Sequence, residues 1–285
     1  MTLRVLVVGP VSANEIIHLA ALPAPTSGTH FAERTWSTLG GTSAGKALNL
    51  AVLGAEVTLL TVLGTDEVGA RVRSSLAAAG VTVVARPSRS GHCERHVNLM
   101  TDAGERISIY THLPEPADPW RQPDADEHLA AADAVVVDLC DHSRPWIDWG
   151  RRAGVPVWAD LHDYDGTSAF HADFLRANHL QLSSVRLPDW RGWAAGVATS
   201  GRSVVVTHGS RGSSALDGDG VWTDIAGEVL DVVDTNGAGD AFFAGFLLER
   251  SAGSDVTRSL RAGARQAAVC LGGPHLAGTV GELVG

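Results

Sequence analysis

Asp234-Thr235-Asn236-Gly237-Ala238-Gly239-Asp240-Ala241-Phe242-Phe243-Ala244-Gly245 joins two kinds of sequence. Before it runs a strand-like stretch, Val229 to Val233. After it comes an amphipathic helix carrying Phe242, Phe243, Phe246 and Leu247. Gly237, Ala238 and Gly239 carry minimal side chains, so the backbone there can approach a ligand closely. Their N–H groups fall where a helix begins, and the first amides of a helix form a natural anion site. Asp240 is the first acid beside that site. A carboxylate next to an anion site is unfavourable unless it has a task, such as taking a proton from a nucleophile that attacks the anion. That is the layout of a phosphoryl-transfer site. For Gly-Ala-Gly alone, a plain helix start with Asp as cap would be the better reading.

The bulk properties agree with a globular enzyme. The 285 residues suffice for one large α/β domain or two small ones, and the apolar and charged fractions, 45% and 19%, are ordinary. A formal net charge of −10 argues against a nucleic-acid surface but leaves room for a locally positive phosphate pocket. Cys93, Cys140 and Cys270 are odd in number and scattered, which suits buried thiols in a reducing cytoplasm. The apolar run Val5–Val8 is too short for a signal peptide or membrane helix and reads as a first buried strand; no other run is long enough to span a bilayer.

Strand-like and helix-like segments alternate along the chain. Strands are expected at 3–8, 57–62, 134–137, 157–159, 179–182 and 203–207, and helices at 44–53 and 66–79. Asp66 is the expected cap and Gly80 the stop. Such alternation predicts a mostly parallel sheet covered on both faces, with ligands at the carboxyl ends of the strands. Residues 12–39 and 91–112 break the pattern; the second contains a hairpin, 93–100 and 106–109, turning at Thr101-Asp102-Ala103-Gly104.

The Asp234–Asp240 stretch resembles the signature of the ribokinase-like (PfkB-type) carbohydrate kinases, Asp-Thr-x-Gly-Ala-Gly-Asp. The match is full. The resemblance implies a single three-layer α/β/α domain over residues 1–285, with segments 12–39 and 91–112 forming a small β-sheet lid and a candidate homodimer interface. It implies ATP-dependent phosphorylation of a hydroxymethyl group on a sugar or sugar-like molecule. Asp240 would be the general base, Gly237, Ala238 and Gly239 the anion hole, and Asn236 a further contact to the nucleotide. Thr207-His208-Gly209-Ser210-Arg211-Gly212 resembles the family's Thr-x-Gly-x-x-Gly loop, so Thr207, Gly209 and Gly212 are expected along the ATP, and 264–273 around the adenine. Gly40 and Gly41, with Leu53-Gly54 closing the helix, fit the family's first signature, and Asn14 stands where it has a sugar-binding Asp. Mg2+ is implied as a cofactor, with a candidate monovalent cation near Asp234.

Four departures qualify the resemblance. Asn14 swaps one acceptor for a donor. Gly45 replaces an Asn that contacts the sugar, so ribose is not the expected acceptor. Gly40 to Lys46 has the spacing of a nucleotide-binding P-loop, but Ala47 replaces its Ser or Thr and no buried strand leads in; Lys46 is expected as a solvated helix residue. Arg186 stands where the family has an acid that organises magnesium, which puts metal handling in doubt. Asp160 ends a strand and points into the crevice, while Asp163 and Asp165 read as loop carboxylates. Two alternatives remain: a nucleoside kinase of the same fold, and a catalytically weak sensor of sugar or nucleotide.

Overall fold

The computed structural model describes residues 2–102, 104–198, 202–227, 235–273, 275–278 and 280–283. The strand-like run 229–233 and Asp234 lie outside these residues.

The main sheet has nine strands. Five of them, β1 (Arg4–Val8), β4 (Glu56–Leu63), β5 (Thr82–Pro87), β8 (Ala134–Val137) and β9 (Val157–Asp160), run parallel with β10 (His179–Ser183) and β11 (Ser203–Thr207). Antiparallel strands β12 (Gly212–Leu216) and β13 (Trp222–Ala226) extend one edge, giving the order β13-β12-β11-β10-β9-β8-β1-β4-β5. Residues alternate between the two faces, as the two-residue period of a strand demands. In β1, Val5 and Val7 join one core with α1 (Thr42–Val52), α2 (Glu67–Ala78), α6 (Ala238–Ser251) and α7 (Val256–Leu271). Leu6 and Val8 join the other, with α3 (Gln122–Ala130), α4 (Pro145–Ala153) and α5 (Trp190–Val197). Three layers result, as the alternation predicted. The strands expected at 134–137 and 203–207 fall on those bounds. Asp66 caps α2 by accepting from the Gly69 amide at 2.9 Å, and Gly80 follows its end with φ +84°.

A four-stranded sheet forms the lid, in the order β3-β2-β6-β7: β2 (Ser12–His18), β3 (Arg34–Gly40), β6 (Glu94–Met100) and β7 (Arg106–His112). These are the two segments that broke the alternation. β2 pairs antiparallel with β3 and parallel with β6, placing Asn14 beside Thr38 and His96.

The crevice at the carboxyl ends opens beside β1, where the chain lays β4 and β5 on one side and β8 onwards on the other. At such a switch point connections diverge and leave room for a ligand. No helix among the described residues is long and apolar enough to cross a membrane.

On the face opposite α1, Trp146 is fully buried and meets Trp149 and Trp120 edge-on at 5.3 and 6.5 Å between centroids. Trp146→Ala should cost about 3–5 kcal/mol of stability, read from the urea midpoint at unchanged slope.

Candidate active site

Helix α1 starts after Gly41, whose φ of +90° only glycine adopts readily, and a Cβ there would lie 2.6 Å from the carbonyl of Pro10. Ser43 through Leu50 are all buried. A helix buried all round has no solvated face. Lys46, expected in solvent, is therefore inside, with 0% of its side chain exposed. Its Nζ lies 2.6 Å from Asp240 Oδ1, 2.9 Å from Asp138 Oδ1 and 3.3 Å from Asp160 Oδ2, with the Phe243 ring 5.2 Å away. The sequence did hold a signal: Lys46 is the one charged residue in α1. Three carboxylates hold this lysine, so the P-loop spacing at 40–46 does not mark a phosphate lysine.

Strand ends supply the acids. Asp138 follows β8, and Asp160 closes β9. Asp138 accepts from Ser43 Oγ at 2.7 Å. Asp160, expected to face the crevice, is buried against Lys46 and Gln181; Asp138 was missed, although the same reasoning about acids at parallel strand ends would have found it. Asp240 sits in the first turn of α6 and is 8% exposed. Burial disfavours charge on Lys46, but Asp138, Asp240 and Asp160 outweigh it and hold the ammonium protonated. One ammonium cannot fully compensate three acids. For Asp240, burial prevails over Lys46 and pushes the carboxyl up to about 6. For Asp160, burial is opposed by His162 and Lys46, and the pKa falls.

His162, next along the loop, has φ +52°, the sole non-glycine residue with positive φ among those described. Its amide donates to Asp160 Oδ1 at 3.0 Å, and its carbonyl accepts from the Ser183 amide at 2.6 Å. These bonds hold the strained backbone in place.

Around α6, Gly237 precedes the helix with φ +81°, and a Cβ on Gly239 would meet only open space. The Gly239 carbonyl accepts from Gln181 Nε2 at 3.0 Å. Ala238 begins the helix, and Asn236 Oδ1 accepts from Arg106 Nη1 of the lid at 3.0 Å. Asp234, the candidate cation ligand, lies outside the described residues. Along the strand ends Thr207 sits beside Ser183, and Gln181 beside Asp160. Gly209 (φ +60°) has open space at its Cβ position, whereas a Cβ on Gly212 would strike the Ile225 carbonyl at 2.1 Å. Gly209 thus has open space beside it, and Gly212 is required by the β12–β13 pairing.

Asn14 is buried and accepts from Ser12 Oγ at 2.7 Å. A Cβ on Gly40 would collide with its amide, and one on Gly45 would lie 2.7 Å from Asp240 Oδ2. Gly40 and Gly45 thus make room for side chains of the chain itself. An Asn in place of Gly45 would strike Asp240, so the sugar-binding amide implied by the resemblance has no place here. Arg186, exposed, pairs with Asp163 at 3.3 Å and Asp165 at 3.5 Å. No cluster of three or more His, Cys, Asp or Glu suited to a metal occurs among the described residues.

The pfkB family carbohydrate kinase model matches residues 3–147 and 165–278. An acarbose 7(IV)-phosphotransferase from Actinoplanes is 32% identical, over 91% of this chain and 89% of that protein. A fructoselysine 6-kinase from Escherichia coli is 31% identical, over 79% and 88%. A solved microbiome-derived acarbose kinase superposes with a TM-score of 0.84 at 31% identity, covering 95% of this chain and 93% of that one. An Arabidopsis thaliana ribokinase solved with ribose and ATP shares the fold, with a TM-score of 0.81 at 22% identity.

The placement of Lys46 is open to a direct check. Lys46→Ala leaves three buried carboxylates without their cation and should cost about 3–5 kcal/mol in chemical denaturation. A solvated lysine would cost roughly 0.5 kcal/mol or less.

Proposed function

Because this chain belongs to the pfkB family of carbohydrate kinases, we propose that Asp240 is the base of its phosphoryl transfer and that the 236–239 loop holds the transferring group. One observation carries the reading: Asp240 is a buried carboxylate in the first turn of a helix whose start is glycine-rich and open. Oδ2 of Asp240 takes the proton of an acceptor hydroxymethyl group. The freed oxygen lone pair bonds to the γ-phosphorus of ATP, the bond from phosphorus to the bridging oxygen breaks, and ADP leaves with that electron pair. Amides of Gly237, Ala238 and Gly239 gather the charge on the equatorial oxygens. Thr207, Gly209 and Gly212 flank the nucleotide on the β11 side.

Magnesium would enter with ATP as the counter-ion of its phosphates. Arg186 already occupies Asp163 and Asp165, so the chain offers the ion no acid there. A cation site near Asp234 remains part of the proposal on the strength of the signature alone.

The acceptor side favours a polyhydroxylated molecule over a nucleobase. The buried positions of lid strands β2 and β6 are mostly polar: Ser12, Asn14 and His18 on β2 and Glu94, His96 and Asn98 on β6, with Ile16 and Met100 among them. His96 Nε2 lies 2.8 Å from Glu94 Oε1, so both already carry an organised hydrogen-bonding edge. Relatives named for acarbose and fructoselysine support sugar derivatives larger than ribose. A nucleoside kinase from Methanothermobacter thermautotrophicus, 27% identical, keeps nucleosides in the screen. Exposed Ile107 and Ile109 on edge strand β7 support a homodimer through the lid, and the thiols of Cys93 and Cys140 support a cytoplasmic setting.

Asp240→Asn should lower turnover about a hundred- to ten-thousand-fold while calorimetry still detects ATP binding. Turnover within a few-fold of wild type would place the base elsewhere. The base works ionised, and its pKa is raised to about 6. Activity is therefore present above that value and is lost as pH falls through it; kcat/KM should show an acid limb near there and drop about tenfold per unit below it. Gly45→Ala should lower kcat about tenfold or more by displacing Asp240 Oδ2 and should cost about 1–3 kcal/mol of stability, because overpacking against the buried carboxylate outweighs the helix preference of alanine. An ATP-consumption screen over acarbose, glycated amino acids, simple sugars, polyols and nucleosides identifies the acceptor; ribose should rank low. ATP binding with no turnover on any of them would indicate a sensor.

A further inference from the structure

The two oxygens of Asp240 meet different surroundings. Oδ1 receives the Lys46 ammonium at 2.6 Å. Oδ2 lies over the bare Cα of Gly45, at a place where any side chain would press on it. The charged and titratable groups facing this carboxylate are Lys46 from α1, Asp138 after β8, Asp160 at the end of β9 and His162 in the loop that follows. Two of the four are acids, and like charges in a buried chamber force protons onto one another. Lys46 is the only permanent cation of the four.

We propose that Lys46 is a positioning residue that fixes Oδ1 of Asp240 and keeps this carboxylate ionised at neutral pH, leaving Oδ2 for the acceptor hydroxyl. The inference rests on the reading of Asp240 as base, and it adds a residue that touches neither acceptor nor nucleotide. The arrangement serves both stages of proton transfer. Before transfer the ammonium is shared among three carboxylates. When the hydroxyl proton has moved to Oδ2, Asp240 is neutral, and Asp138 and Asp160, at 2.9 and 3.3 Å, continue to hold the ammonium. Asp138 is itself anchored by Ser43, one turn before Lys46 on the same helix. The proton later leaves Oδ2 for solvent, and the chamber returns to its first state without moving the lysine.

The test is titration of Asp240 by carbon-13 NMR of side-chain carboxyls in aspartate-labelled protein, its signal assigned by difference from Asp240→Asn. Lys46→Met removes the cation alone. Lys46→Met with Asp138→Asn removes one positive and one negative charge, and so keeps the chamber's net charge if the single variant does not fold. Lys46→Arg keeps a cation. In folded Lys46→Met against wild type, and in the folded double variant against Asp138→Asn alone, the Asp240 midpoint should rise by about one unit or more, a tenfold smaller ratio of ionised to neutral carboxyl. It should return toward the wild-type value in the arginine variant. ATP affinity, measured by calorimetry with ATP itself, should stay within about twofold, since Lys46 is held by three carboxylates and not by the phosphates. An Asp240 midpoint no higher in the folded double variant than in Asp138→Asn alone would overturn the proposal and leave Lys46 as charge balance only. That outcome is separate from the base assignment, which stands or falls on turnover by Asp240→Asn.

Discussion

A single ammonium buried among three carboxylates sets the terms for the rest of this molecule. Taking charges out of water is expensive, and a buried pair survives only with close geometry and further hydrogen bonds. Here the geometry is supplied by four elements that are distant in sequence: α1, the ends of β8 and β9, and the first turn of α6. None of these can shift without exposing or orphaning a charge. The switch point beside β1 therefore holds a polar centre of fixed shape between two apolar layers. Ser43 ties Asp138 to α1, and Gln181 ties Asp160 to the carbonyl of Gly239. In this way the acceptor side of the crevice and the start of α6 share one network.

Much of this was legible from the chain alone. The parallel strands are short runs of Val, Leu and Ala, and their ends were found within a residue or two because no other element fits so brief an apolar run. The lid was found by the failure of that pattern. Strands β5, β12 and β13 escaped notice. β5 is partly exposed along most of its length, and the last two carry Gly, Ser, Thr and Asp in place of a clear alternation. Around Asp240 the small residues and the helix start were readable, since they act locally. The Lys46 cluster was not, because its partners are 92 to 194 residues away and only the folded sheet brings them together. The contact of Gly45 was hidden for the same reason. Its meaning lies in Asp240, which the sequence places on another helix.

The lid contributes more than cover. Arg106 reaches the Asn236 amide, and the lid turn carrying Gly104 lies beside Thr235. The sheet that carries Asn14 and His96 is thus in contact with the loop proposed to hold the phosphoryl group.

The contact between the Cα of Gly45 and Asp240 also bears on how such a site can change through descent. Any side chain at 45 presses on a carboxylate that Lys46 holds from the other side, and loss of Lys46 strands three acids at once. Neither position can be exchanged first without harm, so the neutral paths leading away from this pair are narrow. Two neighbouring residues on one helix thus bracket a carboxylate carried by another, and a change at either is felt at Asp240.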